Sequence, residues 1–314
     1  MKTNNRSLKV ETISIYQFLR RIPDENTARL YVEKMVWPAG RYCPYCQSVN
    51  TVEVKDAKPM PYRCKDCRKH FSVRVGNIFA SSKVPLHTWL GAIYLMTTAK
   101  KGVSSLQVSR QLGITQKTAW MLCHKIREMW TAPIKPVMSG EVEVDESYFG
   151  GIDRNRHASQ RAKIGRGAVG KQPVIGLYDR NGKVAGTVVA DTDSGTLHSI
   201  INANVRKGTT IYTDGHRGYH GLVGYTQDEV CHSVGEYVRG KAHTNGIESF
   251  WSLLKRGYIG TFHHMSPKHL QKYVNEFASR QSMRRCDTID AMAITTKAGV
   301  GKSLSWKELT YEPA

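Results

Sequence analysis

The chain has 314 residues, 40% of them hydrophobic, enough for one sizeable core and one or two small modules. Lys and Arg number 46 against 26 Asp and Glu, and the formal charge of +20, far beyond what solubility requires, favours a polyanionic partner such as DNA. No stretch approaches the roughly 18 apolar residues of a membrane span, and MKTNNRSLKV has no signal-peptide core, so a cytoplasmic, nucleoid-associated protein is expected.

In chain order, Asp24 is placed to cap a helix reaching Val36. Cys43 and Cys46 follow in CPYC, and Cys64 and Cys67 in CKDC, at the spacing of a four-cysteine zinc ribbon. Each C-x-x-C knuckle points two thiolates at one ion, and strands within Thr51–Val54 and Tyr62–Phe71 can hold the knuckles together. A redox pair would instead open a helix in a βαβ unit.

Leu86 to Trp130 is helical in pattern, and SSLQVSRQLGITQKTAWMLCHKIREM reads as a helix-turn-helix, with Gly113 at the turn and Thr115 capping the second helix. Taking Ala119, Leu122 and Ile126 as the packed stripe turns Lys117, Trp120, Met121 and His124 outward, toward a DNA major groove. A plain helical hairpin would use the same packing. TAPIKPVMSG, with two prolines and a glycine, marks a boundary, so the organisation expected is 1–80 for the first helix and ribbon, 81–132 for the helix-turn-helix and 133–314 for a third domain.

That third domain is read as α/β. EVEVDESYF, PVIGLYD and KVAGTVVAD are strands, the latter two joined by a turn at Asp179–Gly182; SGTLHSIINANV is a helix capped by Ser194; TTIYTDG is a fourth strand; and a helix follows from His243 to about Tyr258. This order matches an RNase H-like fold. The basic stretch RNRHASQRAKIGRGAVGK between the first two strands is too poor in apolar residues for a core and suits a DNA-contacting loop.

Asp145 stands in the first strand of this domain, Asp214 at the end of the fourth, and Glu248 on the following helix. Three converging carboxylates suit two Mg²⁺ or Mn²⁺ ions roughly 3.5–4 Å apart, which can activate a hydroxyl and stabilise the leaving oxygen of a phosphodiester. Glu143 and Glu146 are expected on the opposite strand face. For the third acid Asn245 and Glu276 are alternatives, but a neutral amide is the weaker ligand and Glu276 can pair with Arg280 one turn on. Lys255 shares the Glu248 face and can hold the DNA backbone, and Asn245 can orient substrate. His243, His263 and His264 suit phosphate contact or packing. Two P-loop-like runs each depart from the pattern: GRGAVGKQ ends in Gln172 and follows a basic loop rather than a strand, and AGVGKS has Thr296 where the first Gly belongs.

VDESYFGG, YTDGHRGY and HTNGIESFWSLLKRGYIGTFHHMSPKHLQKYVNEFASR together resemble the DDE transposases of ISXO-type insertion sequences, and the upstream ribbon and helix-turn-helix stand in that family's order. The resemblance implies an RNase H-like core, recognition of terminal inverted repeats, Mg²⁺-dependent strand cleavage and transfer, and a homodimer or higher multimer on DNA. Some members carry Asn in place of the third acid; this chain has Glu248. Retention of all three acids argues against a non-catalytic regulator derived from such an element, and two recognition modules argue against a stand-alone nuclease.

Overall fold

A computed structural model describes residues 10–55, 57–131, 138–151, 170–230 and 243–311, and the chain divides into two compact units, Met1–Trp130 with Arg285–Ala314, and Thr131–Arg284. The stretch expected as one domain from residue 133 onward is therefore split. Most of the basic loop lies outside the described residues, as does Cys231.

The first unit opens with helices α1 (Ile15–Arg21) and α2 (Glu25–Val36), the second capped as expected by Asp24, whose carboxylate accepts the Thr27 amide at 2.7 Å. Three short antiparallel strands, β1 (Thr51–Glu53), β2 (Tyr62–Cys64) and β3 (His70–Phe71), form the ribbon. Helix α3 (Leu86–Thr98) begins after Pro85, and Glu25 of α2 caps it, accepting the amides of Leu86 and His87. The pair α4 (Ser105–Leu112) and α5 (Gln116–Met129) is joined as read from sequence: Gly113 takes the left-handed conformation at φ 63°, Thr115 caps α5, and Ser109 donates its hydroxyl to the Ile114 carbonyl across the turn.

The C-terminal helices α9 (Thr288–Lys297) and α10 (Trp306–Thr310) complete this unit, α9 against α2, α3 and α5. Trp130 donates to Thr295 Oγ1 at 3.0 Å, and Asn77 pairs with Val300. The AGVGKS run follows a helix, and its Lys302 ammonium accepts duty as a cap, donating to the last carbonyls of α5, Glu128 and Met129, at 2.9 and 2.8 Å. It is not a phosphate loop.

The second unit is a five-stranded mixed sheet. Strands β4 (Glu141–Phe149), β5 (Gln172–Asp179) and β6 (Val184–Val188) are antiparallel, and β7 (Thr210–Asp214) and β8 (Thr226–Val230) run parallel to β4, giving the order β6-β5-β4-β7-β8. Helix α6 (Ser194–Asn204) lies between β6 and β7 in sequence; its cap position is Asp193 rather than Ser194. Helices α7 (Asn245–Gly257) and α8 (Pro267–Ser282) follow.

Strand alternation sorts the core into two layers. Val142, Val144, Ile175, Leu177 and Ile211 pack with Leu197 and Ile201 of α6, while Phe149 and Val174 pack with α7 and α8 on the other face. Helix α7 buries Ile247, Phe250, Trp251 and Leu254, the spacing of a single helical stripe. At roughly 1.5–3 kcal/mol for each large apolar side chain removed from water, that stripe suffices to dock the helix. Glu276 is fully buried on α8 and ion-paired with Arg280.

Candidate active site and metal centre

Strands β4 and β7 pair in parallel with Glu141 beside Thr210, Val142 beside Ile211 and Glu143 beside Tyr212. The pairing ends there; Asp145 and Asp214 each stand two residues further along their strands, close enough for the Asp214 charge to act on Asp145. Here alternation corrects the sequence reading: Glu143, two residues before Asp145, shares its face, and Glu146, although it is the alternate residue, lines the same cavity as Asp145. Glu143 is 1% exposed and accepts the Ile247 amide at 3.0 Å and Arg180 Nε at 3.3 Å, with His243 Nδ1 3.3 Å away, so it pins the start of α7 to the sheet. His243 thus packs against an acid, whereas His263 and His264 are exposed.

Two glycines let α7 come close. A Cβ on Gly176, directly opposite Asp145 in the β4–β5 register, would stand 2.5 Å from Cζ2 of Trp251 and 2.7 Å from Cδ1 of Ile247. One on Gly246 would collide with the Tyr178 ring. With the helix so seated, Asp145, Glu146, Ser147, Glu248, Trp251, Ser252, Lys255, Arg256 and Ile259 line a cavity of about 440 Å³. Asp145 and Glu248 thus meet in one cavity, and Lys255 shares it, as its spacing from Glu248 predicts. Asn245 is exposed in the first turn of α7. Asp214 does not line the cavity, but its charge acts on both Asp145 and Glu146.

Burial first, then the charges of Glu146 and Asp214, push the Asp145 carboxyl up to about 7. Its Oδ1 accepts the Glu146 amide at 2.8 Å and its Oδ2 the indole N–H of Trp251 at 3.0 Å. Burial also raises Glu146, opposed by the hydrogen bond it accepts from the Tyr219 hydroxyl at 2.6 Å. Glu248 accepts from Thr244 Oγ1 at 2.9 Å. Asp145 and Glu146, held by neutral donors and raised by burial and by the Asp214 charge, offer the kind of oxygen ligands a divalent cation would take. Sequence reasoning missed Glu146, Trp251 and the exposed Ile259 at this cavity. The apolar spacing of Trp251 signalled only a core residue.

The ribbon is at ligand spacing. The sulfurs of Cys43, Cys46, Cys64 and Cys67 lie within 4.8 Å of one another, and Cys43–Cys67 and Cys46–Cys64 are both 3.6 Å apart. Zinc–sulfur bonds near 2.3 Å in a tetrahedron require sulfurs about 3.8 Å apart, so the four fit the ion. Backbone amides, that of Cys67 foremost, pull the Cys64 thiol down to about 7. Among the described residues these cysteines are the one such group already at ligand spacing; the acids are neighbours without being drawn in so far.

The helix-turn-helix face differs from the expected one. His124 is 0% exposed, with its ring 4.4 Å from that of Trp120. Trp120 and Met121 are half-buried, because Trp306 of α10 lies edge-on to Trp120 and shares a pocket with Met121. Lys117 is exposed, with its ammonium 4.6 Å over the Trp306 ring. A helix begun 190 residues later in sequence was invisible to a helical-wheel argument on α5 alone.

Two family models match the chain: residues 137–281 match the ISXO2-like transposase domain, and residues 23–70 match a transposase zinc-ribbon domain. The chain belongs to the ISXO2-like insertion-sequence transposases. A protein of Halobacterium salinarum described as an uncharacterized protein in transposable element ISH50 is 28% identical over 280 residues, covering 85% of this chain and 94% of that one. An uncharacterized transposase-like protein of Haemophilus influenzae is 30% identical over 96 residues, covering 30% of this transposase and 76% of that protein. The transposase-domain match spans β4, β7 and α7, and the ribbon match spans all four cysteines. No helix among the described residues is long and apolar enough to cross a membrane.

Proposed function

We propose that this transposase binds the terminal inverted repeats of its element and catalyses metal-dependent DNA cleavage and strand transfer, with Asp145, Asp214 and Glu248 as the acids that hold two Mg²⁺ or Mn²⁺ ions. The observation that supports the reading best is that Asp145 and Glu248 line one cavity while the Asp214 charge acts on Asp145. The strand order and directions, three antiparallel strands extended by two parallel ones with helices on both faces, support an RNase H-like core for Thr131–Arg284.

When bound, the cations supply Lewis-acid stabilisation at the scissile phosphate and favour deprotonation of the attacking water or 3′-hydroxyl. The chain does the rest. The acids fix the site, Lys255 and Arg256 on its rim draw the phosphodiester backbone toward it, and Asn245 orients the strand. The four cysteines hold one structural Zn²⁺, leaving no open coordination position for chemistry. End recognition falls to the ribbon and to the helix pair, where Gln116 and Lys117 at the start of α5 and Arg110 and Gln111 near the end of α4 are exposed. Trp120 and Met121 contribute through their exposed edges, and His124 supports the helix from within. Work on two element ends calls for a homodimer or higher multimer on DNA in the nucleoid.

The test is cleavage of an oligonucleotide bearing the element end, with Mg²⁺ supplied. Asp145→Ala and Asp214→Ala should each abolish cutting and leave end binding nearly intact; cutting that survives in either variant overturns the reading.

A further inference from the structure

We propose that Trp251 is a positioning residue, whose indole N–H orients the Asp145 carboxylate and sets the separation of Asp145 from Glu248 for cation binding. The inference rests on the metal-binding role proposed for those acids.

Both oxygens of Asp145 are held. Oδ1 accepts the Glu146 amide at 2.8 Å, and Oδ2 accepts Trp251 Nε1–H at 3.0 Å. The first donor belongs to the strand itself, so the second alone ties Asp145 to another element. That element is α7, which carries Glu248 one turn before Trp251. A change in the indole's seat therefore changes the gap between two of the acids, not only the tilt of one.

The seat is built for an indole. Trp251 is 4% exposed and lies over Gly176, the residue facing Asp145 across the β4–β5 ladder, where any Cβ would stand 2.5 and 2.8 Å from Cζ2 and Cη2. The glycine lets the ring lie flat enough on the strand for its N–H to reach the carboxylate. A tryptophan kept only to fill the core beside Phe149 and Phe250 would need the apolar contact and no donor at that place. Phenylalanine would then serve as well. A tryptophan that positions Asp145 loses its function with the N–H even when the ring is kept.

Trp251→Phe in the full-length, zinc-loaded protein separates the two roles. Mn²⁺ binding without DNA, read by electron paramagnetic resonance, should weaken about 10- to 100-fold, the usual cost of losing a partner that orients a metal ligand. The Mg²⁺ concentration for half-maximal cleavage should rise in step, with end binding unchanged. Ile247→Val trims the neighbouring contact with Gly176 and removes no donor, so it should lower the melting temperature and leave the Mn²⁺ constant alone. Should Trp251→Phe fail to fold, Gly176→Ala carries the test, since it keeps the indole but lifts it from its seat, and the same weakening is expected. A Mn²⁺ constant within two-fold of wild type in the folded variant refutes the inference. Asp145→Ala distinguishes this failure from a deeper one: if it too binds Mn²⁺ and cleaves normally, the assignment of the acids is wrong, whereas if it is inactive, only the role of Trp251 falls.

Discussion

Replacing Asp145 by Asn should make the cation-free protein more stable while ending its chemistry. Burial, Glu146 and Asp214 raise the Asp145 carboxyl from 3.8 to about 7. At 1.36 kcal/mol for each pKa unit, the ionised side chain costs the folded state about 4 kcal/mol above neutrality. Asn removes the charge but offers one oxygen to two donors, the Glu146 amide and the Trp251 indole, which returns about 1–2 kcal/mol. A net gain of about 2–3 kcal/mol at pH 8 remains. The sign follows from proton counting. The folded wild type binds more protons than the unfolded chain between pH 3.8 and about 7, so its stability falls across that window and levels off above it. Asp145→Asn lacks this component, so the variant should be about 1–2 kcal/mol less stable than wild type near pH 4, where only the lost hydrogen bond counts, cross over as pH rises, and level off above pH 7 at the gain just given. Hydrogen exchange of the β4 amides in Mg²⁺-free buffer reads it; a chelator is avoided because it would strip the ribbon. Added Mg²⁺ should protect the wild type and not the variant. Equal protection of the two proteins at pH 8, or a difference that ignores pH from 5 to 8, would refute the reasoning.

Three further outcomes are expected. Cys43→Ser should drop the zinc content from one per chain to near none and unfold the ribbon around Trp37, Tyr62 and Phe71, which pack edge to face beside it; elemental analysis still finding one zinc per chain rejects this. Lys117→Ala should narrow the ratio of end to random DNA binding, whereas His124→Ala, at a fully buried site, should lower stability instead; an unchanged ratio in a Lys117 variant returns the helix pair to a structural role. Glu248→Gln should eliminate cleavage in a folded protein, while Glu276→Gln should lower the melting temperature by breaking a buried pair worth roughly 3–5 kcal/mol when one partner is lost, yet cut normally per folded molecule; the reverse pattern would make Glu276 the third acid.

Much of this was legible because the signals were local. The cysteine knuckles, the Gly113–Thr115 turn and the strands that carry Asp145 and Asp214 each depend on residues a few positions apart, and such rules do not need the fold. The long helix was legible too, though it starts at Asn245 rather than His243. What was not legible depended on distant partners. Continuity along the chain points the residues from Arg285 to the third domain, but α9 buries Ala291, Met292 and Thr295 in the first unit. Trp306 alters the face of α5 in the same way. The placement of Glu143 is different in kind: a side-chain period of two puts it on the Asp145 face from local sequence alone.

Glu143 and Asp145 also show how one strand carries two carboxylates toward the same helix and makes them do different work. Glu143 meets a guanidinium, an imidazole and a helix amide, so its charge is matched from within the chain. Asp145 meets two neutral N–H groups, and among the described residues no cation pairs with it. Its nearest charges are acids, and the cations of the cavity, Lys255 and Arg256, stand on the exposed side of α7, where a phosphate backbone would lie. An acid satisfied by Arg180 has little left to offer a metal ion. An acid oriented by neutral donors and crowded by other acids gains most when a cation arrives. The partners, more than the residue type, therefore make Glu143 the fastener and agree with the ligand role proposed for Asp145, and exchanging those partners should exchange the roles. Arg180→Gln should release α7 without directly touching metal affinity. A Lys at position 146, placing an ammonium beside Asp145, should hold its carboxyl in the ordinary range and cost Mn²⁺ binding in a protein that still folds. If Glu146→Lys binds Mn²⁺ as wild type does, charge crowding is not what prepares Asp145 for a cation.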